Sequence, residues 1–328
     1  MTDQFRFDSE SLPPGQAFEG YRRLYAAGSD VSRGRGRFFA RVRAVRLDGL
    51  ILFERRLDGV VHSRSARAGR DRFDHFALHL VLSGELEGGR ESRFDRAGPG
   101  DLVLVDTRRA SRTEAHALHL LTASVPRAAI AAACGGVDGL HGRIVGPPRT
   151  LVLRDLMQSV VRNADGFGEE ALPSLRRAFQ ELLNATLAEL STASAVMLRL
   201  DQARREAAER FILAHLHDRA LDAAAVAAGV GASRSTLYRL FADAGGVARF
   251  IMSRRLAAVR AALESGAAGP LSALALAHGF TDESHLNRRF KQAYGQPAGA
   301  YRRAVAEAGE DAVAAAARRW AGWMVEVG

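Results

Sequence analysis

S-R-S-T-L-Y-R-L-F at Ser233–Phe241 and S-H-L-N-R-R-F at Ser284–Phe290 are the second halves of a pattern that occurs twice in this chain. Each follows a short apolar run with a glycine near its end: A-x-x-x-G-V at Ala225–Val230 and A-x-x-x-G-F at Ala275–Phe280, 50 positions later. The expected local structure is a short helix broken at Gly229 or Gly279, where a left-handed residue costs least. A second helix then opens at a serine able to cap it. This is a helix-turn-helix arrangement, present in tandem.

Leu237, Leu240 and Phe241 recur at the spacing of a buried stripe, as do Leu286, Phe290 and Tyr294. The residues left facing outward are Arg234, Ser235, Tyr238 and Arg239 in one copy, and Glu283, Ser284, Asn287 and Arg288 in the other. Side chains of these types read base edges and phosphates. Between the copies a helix is expected from Val247 to Ser265, with Phe250, Ile251, Val259 and Leu263 inward. Its length of roughly 28 Å is comparable with the ~34 Å repeat of duplex DNA, so it suits a spacer between two recognition helices.

The run G-F-T-D-E-S-H-L-N-R-R-F-K-Q-A-Y-G-Q-P-A-G-A-Y-R (Gly279–Arg302) resembles the DNA-binding domain of AraC/XylS-type transcription regulators, including the closing G-x-x-P-x-x-Y-R. By position, the resemblance places the base-contacting residues at Arg234, Ser235, Tyr238, Arg239, Glu283, Ser284, Asn287 and Arg288. It implies double-stranded DNA, an operator or promoter, as partner, and RNA polymerase as well where the protein activates. Two departures stand out: Val247 replaces the usual proline before the spacer helix, and Leu286 replaces the common aromatic of the second recognition helix. Neither lies on the reading face.

Composition agrees with a soluble globular protein of two domains: 328 residues, 47% hydrophobic and 25% charged. A net charge of +9 favours an acidic partner. Lys291 is the only lysine among 46 basic residues, so the arginine excess is chain-wide. Residues 206–301 carry 11 basic against 8 acidic side chains, a net of +3, and placement of arginine is therefore a stronger argument than total charge. The single cysteine, Cys134, excludes an intrachain disulfide and suits a reducing cytosol. It sits in A-A-I-A-A-A-C and reads as a small apolar residue. The start M-T-D-Q-F-R-F-D-S-E lacks the features of a signal peptide, and no 18-residue apolar run predicts a membrane span, so a cytoplasmic, nucleoid-associated protein is expected.

Upstream, a short helix is expected around Glu19–Ala27, followed by β-like runs at Phe38–Leu47, Leu50–Leu57, Phe76–Leu82, Leu102–Asp106 and Ala117–Ser124. Turns such as D-G, S-G and G-P-G-D separate them, as in a small barrel or double-sheet roll. S-G-E-L-E-G-G-R-E-S-R-F-D-R-A-G-P-G-D-L-V-L-V-D (Ser83–Asp106) resembles part of a cupin, and with it the effector-sensing half of the same regulator family. A cupin enzyme would need clustered ligands, for which His75, His79, His116 and His119 are the candidates. His75 and His79 share a strand face but stand about 13 Å apart. His116 and His119 point to opposite faces of a regular strand. No metal, cofactor or catalytic residue is therefore assigned. A barrel mouth remains a plausible ligand cavity, lined from Phe73–Leu82 and Leu102–Asp106. The loop Arg64–Arg72 reads either as an attractor for an anionic effector or as a solvated loop.

Helical periodicity returns at Leu151, Leu153, Leu156, Val160 and Val161, and again from Leu175 to Leu190. Such stripes ordinarily pack on their own domain, while the resemblance implies a homodimer contact through Leu175–Leu190. The tail after Tyr301 is Ala-rich, and its Trp320 and Trp323 suit a helix docked on a domain, or else an oligomer contact. The expected fold is α+β: a cupin-like β-barrel followed by helices, then an all-α domain with two helix-turn-helix motifs. The expected divisions are 1–194 for sensing and dimerisation, 195–208 as a linker, 209–304 for DNA binding and 305–328 as the tail. A sequence-specific transcription regulator controlled by a small effector fits this order. The alternatives are the same regulator without a small ligand, and a cupin-type enzyme.

Overall fold

L-I-L-F-E-R-R-L at Leu50–Leu57 sorts its side chains alternately to two faces, as a strand must. Ile51, Phe53 and Leu57 enter an inner core with Phe5, Tyr21 and Trp323, while Leu50 and Leu52 enter an outer core with Phe76, Phe179 and Leu183. A strand covered on both sides loses the polar half of its alternation, which explains the apolar run Leu50–Phe53. This arrangement comes from a computed structural model that describes residues 3–13, 15–47, 49–64, 73–89, 94–191, 195–242, 244–307 and 312–327. The chain forms two units, Met1–Leu198 together with Ala312–Gly328, and Arg199–Asp311.

The first unit is built on one antiparallel sheet: β1 (Gln4–Asp8), β2 (Asp30–Arg33), β3 (Phe39–Leu47), β4 (Leu50–Asp58), β5 (Val60–Ser63), β6 (His75–Gly89), β7 (Phe94–Ala97), β8 (Leu102–Asp106), β9 (Arg112–Pro126) and β10 (Arg143–Val145). Its main path runs β1-β3-β4-β9-β6-β8-β10, with β2-β5 added at β9 and β7 at β6. Strands β6 and β9 are 15 residues each and change neighbours midway. Their pairing slips between Val81 and Glu85, and Ala117 takes a positive φ of 42° at that place. Such bulges bend both strands and let the sheet curl around the inner core. Helix α1 (Ala17–Tyr25) supplies Tyr21, Leu24 and Tyr25 to that core. Helices α2 (Arg127–Cys134), α3 (Leu151–Arg162) and α4 (Leu172–Thr186) cover the outer face through Ile130, Met157, Phe179 and Leu183. Cys134 is buried there.

The second unit is helical: α5 (Ala195–Ala214), α6 (Ala223–Gly229), α7 (Arg234–Leu240), α8 (Val247–Glu264), α9 (Leu271–Ala277), α10 (Glu283–Tyr294) and α11 (Ala298–Glu307). Residues 195–208, which join the domains either as a flexible linker or as a helix continuing into Phe211–Leu216 by sequence, are the first part of α5. The unit has two cores, and α8 divides between them. Val247, Phe250 and Ile251 pack with Leu237, Leu240 and Phe241; Leu256, Val259 and Leu263 pack with Leu286 and Phe290. Val247, in place of proline, is itself buried at the first turn of α8. The spacer is thus 18 residues long, about 27 Å, with α7 packed at one end and α10 at the other.

The two turns differ from expectation in one respect. Gly279 is left-handed at φ 76°, but in the first copy the left-handed residue is Gly231 at φ 61°. Gly229 is the last residue of α6, and its lack of a side chain admits the Phe211 ring, which a Cβ would approach to 2.1 Å.

After the second unit the chain returns to the first as α12 (Ala312–Val327). Trp320, Trp323 and Met324 join the inner core, and Trp323 Nε1 donates to Asp3 Oδ2 at 2.9 Å. The tail is therefore a docked helix and belongs to the sheet unit. No described helix is long and apolar enough to cross a membrane.

Candidate functional site

Two features could meet a ligand: the outer faces of α7 and α10, and a cavity inside the sheet unit. Helix α7 begins at Ser233, whose Oγ accepts the Thr236 N–H at 3.1 Å. Helix α10 begins at Asp282, not at Ser284; the Asp282 carboxylate accepts the His285 N–H at 2.7 Å. That bond, with a further one from Thr281, holds the Asp282 carboxyl below its ordinary pKa. A carboxylate also complements the positive end of a helix, so aspartate serves here as well as serine. Burial, followed by Arg289 and Arg288, lowers the pKa of the His285 ring, which favours the neutral form.

With Leu237 and Leu240 inward, α7 leaves Arg234, Ser235, Tyr238 and Arg239 exposed, Tyr238 at 60% of its surface. With Leu286 and Phe290 inward, α10 leaves Glu283, Ser284 and Arg288 exposed and Asn287 half-buried. Arg239 is not an open side chain: it forms a two-pronged ion pair with Asp201 of α5, one arm at 3.0 Å. The pair raises the Arg239 pKa and lowers that of Asp201. Sequence patterning placed Arg239 on the outer face but carried no sign of this partner, which lies 38 positions away.

The cavity has a volume of about 100 Å³ and is bounded by the inner faces of β4, β6 and β9, by α1 and by α12. From the stretch expected to line it, Phe73, His75, Ala77, His79 and Val105 do so; the alternate residues Phe76, Leu78 and Leu80 face the outer core. Residues 65–72 of the arginine-rich loop lie outside the described residues. Arg64 is buried beside the cavity, donating from Nε and Nη to the Thr107 carbonyl at 3.1 and 2.9 Å.

A residue missed from the sequence sits deeper. Arg55 of β4 is buried, and its guanidinium donates to Thr122 Oγ1 and lies 3.1 Å from His79 Nδ1. Ile51, Phe53, Arg55 and Leu57 are spaced by two, so the alternation already marked Arg55 as a charge on the inner face. Burial first, and then Arg55, lowers the pKa of His62 to about 3 and that of His79 well below the ordinary range. His75 is likewise brought to about 3 by burial and by Arg64. These rings are neutral at physiological pH and can exchange single hydrogen bonds.

His116 and His119 do not take opposite faces. The extra residue at Ala117 restores the alternation, so Ala115, Leu118 and Leu120 all turn inward and both histidines outward. There His116 pairs with Glu87 at 3.3 Å and His119 with Glu54 at 2.8 Å, which lowers the Glu54 pKa. Among the described residues no three His, Cys, Asp or Glu side chains gather as a metal site.

Comparison with known proteins places both halves. Residues 23–188 match the AraC-binding-like domain family, and residues 226–304 match a helix-turn-helix domain family. The AraC-like transcriptional activator CuxR is similar in structure, with a TM-score of 0.54 at 22% identity over 79% of this chain and 96% of that one. Weaker likenesses are an apo variant of ToxT from Vibrio cholerae strain SCE256 (TM-score 0.33, 9% identity, 83% and 98% of the two chains) and ToxT from Vibrio cholerae O395 bound to (E)-4-(8-methylnaphthalen-1-yl)but-3-enoic acid (TM-score 0.36, 12% identity, 71% and 91%). With one family model spanning half of its length and the other covering both helix-turn-helix copies, the chain belongs to the AraC-type regulators, with an N-terminal AraC-binding-like domain.

Proposed function

We propose that this protein is a sequence-specific DNA-binding transcription regulator whose affinity for its sites responds to a small molecule held in the N-terminal cavity. One observation carries the DNA-binding part: two capped helices, α7 and α10, each bury an apolar stripe and expose a polar, arginine-bearing face, on a shared helix about 27 Å long. Arg234, Ser235, Tyr238, Glu283, Ser284, Asn287 and Arg288 are the residues assigned to the duplex, and Arg239, paired with Asp201, is assigned to holding α7 in place at that face. Arginine at Arg288 suits a guanine edge and Asn287 an adenine edge.

The effector part follows population-shift logic: the ligand must bind one arrangement of the protein more tightly than the other. The cavity supports this reading because it is concave, apolar over most of its wall, and supplied with a few polar groups. The working form is read as a cytoplasmic homodimer on the nucleoid, engaging RNA polymerase where it activates. Phe179, Leu183 and Leu187 are buried within the sheet unit itself, so the dimer contact is assigned to the half-buried edge at Leu175, Leu182 and Leu190. No catalysis enters this reading.

The test is selection of bound sequences from random duplexes, repeated with a metabolite panel. A defined pair of half-sites, bound with an affinity that one metabolite changes, is the expected result. Binding without sequence preference would sink the DNA-reading assignment, and specific binding that no metabolite alters would leave a regulator without a small ligand.

A further inference from the structure

The cavity wall has an unusual charge balance. The described side chains lining it include two arginines and three histidines, and none is acidic. Three of its polar atoms are buried without a hydrogen-bond partner: Arg55 Nε, Tyr25 Oη and His75 Nδ1, on side chains only 7%, 5% and 2% exposed. Arg55 already uses one Nη toward Thr122 and His79, but a buried Nε, hydroxyl and ring nitrogen with no protein partner are costly for a fold unless the site is completed by something else. The remaining wall is apolar, with Phe53, Leu57, Leu118, Leu120, Trp320 and Met324 prominent.

We propose that the cavity takes a small monocarboxylic acid in its anionic form, with Arg55 as the carboxylate anchor, Tyr25 and His75 completing the polar end, and the Trp320 side enclosing the hydrocarbon body. This rests on the effector reading above and names the ligand class of that site. A carboxylate supplies the missing single negative charge and matches the planar fork of a guanidinium. Phosphate carries more charge and hydration than these few donors replace. The Arg55–His79 contact also orients the ring: with Nδ1 accepting, the neutral His79 keeps its proton on Nε2, a further donor. The volume of about 100 Å³ is of the order of a cavity known to admit benzene, so the body is a single ring or a short chain.

Both tryptophans of the chain lie on α12; Trp320 lines the cavity and Trp323 packs in the neighbouring core, so a ligand-dependent change in tryptophan emission that Trp320→Phe removes reports on this site. The full-length protein is titrated with hexanoate and phenylacetate, each against its amide, and with inorganic phosphate. Emission and Tm are read together. Each acid is expected to bind roughly 10- to 100-fold more tightly than its amide, and Arg55→Met to abolish that difference. In the ligand-free protein Arg55→Met is expected to raise Tm, because it removes a buried charge that has no acidic partner while the bond between His79 and Thr122 can persist. A lowered Tm with unchanged acid binding would show a structural arginine and overturn the proposal. So would equal binding of acid and amide, tighter binding of phosphate, or no acid binding at millimolar concentration. The outcomes also separate the two readings. Arg55-dependent acid binding that leaves DNA affinity unaltered keeps the ligand class and removes the regulatory role. An uncharged metabolite that fills the cavity and shifts DNA affinity does the reverse.

Discussion

Arg239 and Arg288 occupy equivalent places, each six residues after the cap of its helix, Ser233 in one copy and Asp282 in the other. Arg239 is clasped by Asp201 of α5, whereas Arg288 has no ion pair among the described residues. The cause lies in what precedes each copy. The first is led by α5, long enough to reach across α7; Arg205 of the same helix also donates to the Leu240 carbonyl at 2.9 Å. The second is led by the spacer α8, whose Arg255 donates instead to the carbonyls of Leu216 and Asp218. A duplicated motif can therefore keep its helices, caps and buried stripes while one copy uses an outward arginine to hold the fold and the other leaves it open to a ligand.

Six substitutions break or sharpen this contrast. The largest effect is expected from Gly279→Ala, about 2–4 kcal/mol of stability lost in urea denaturation: a left-handed residue gains a Cβ that would lie 2.9 Å from the Leu216 carbonyl oxygen. Gly229→Ala has ordinary helical backbone and presses only on the Phe211 ring, so its cost should be smaller; equal costs would mean that the two turns are under the same constraint. Next, Arg288→Ala should lose about 1–3 kcal/mol on a correct DNA site and little on random duplex, measured by competition binding. Equal losses on both would mean a phosphate contact. Ser233→Ala should remove about 1 kcal/mol through the lost α7 cap, and unchanged urea midpoints would show that the neighbouring core alone holds that helix. The smallest effects belong to the clasp: Asp201→Asn and Arg239→Ala should each change DNA affinity less than about fivefold and be non-additive when combined. A large, additive loss from Arg239→Ala would show that it reads DNA despite its partner.

Much of this architecture was legible in the residues. The spacer expected at Val247–Ser265 is α8, Val247–Glu264, and every residue placed inward in both recognition helices is buried or packed against the core. Periodicity works there because each helix has one wet face. The sheet was legible where strands are long. β1, β2, β5, β7 and β10, of three to five residues, are too short for an alternation to stand out. The cavity was only half legible, since the parity argument fails at a bulge: one added residue at Ala117 turned His116 to the side of His119. Arg55 was readable from its parity, but its lack of an acidic partner is a property of three dimensions. The left-handed residue of the first turn was missed because two glycines stand two positions apart, and only packing against Phe211 decides which one stays helical.

The docking of α12 also constrains the order in which the protein can be made. Residues 312–327 complete the inner core of a unit whose other residues end at Leu198, and everything between belongs to the helical unit. A ribosome therefore synthesises the entire double motif before the inner core can be completed, and domains generally fold as they emerge. A message cut short between those points yields a nascent chain with both helix-turn-helix copies but an unfinished sheet unit. For the same reason, a protease that severed the chain once in the helical unit would leave α12 attached by packing alone.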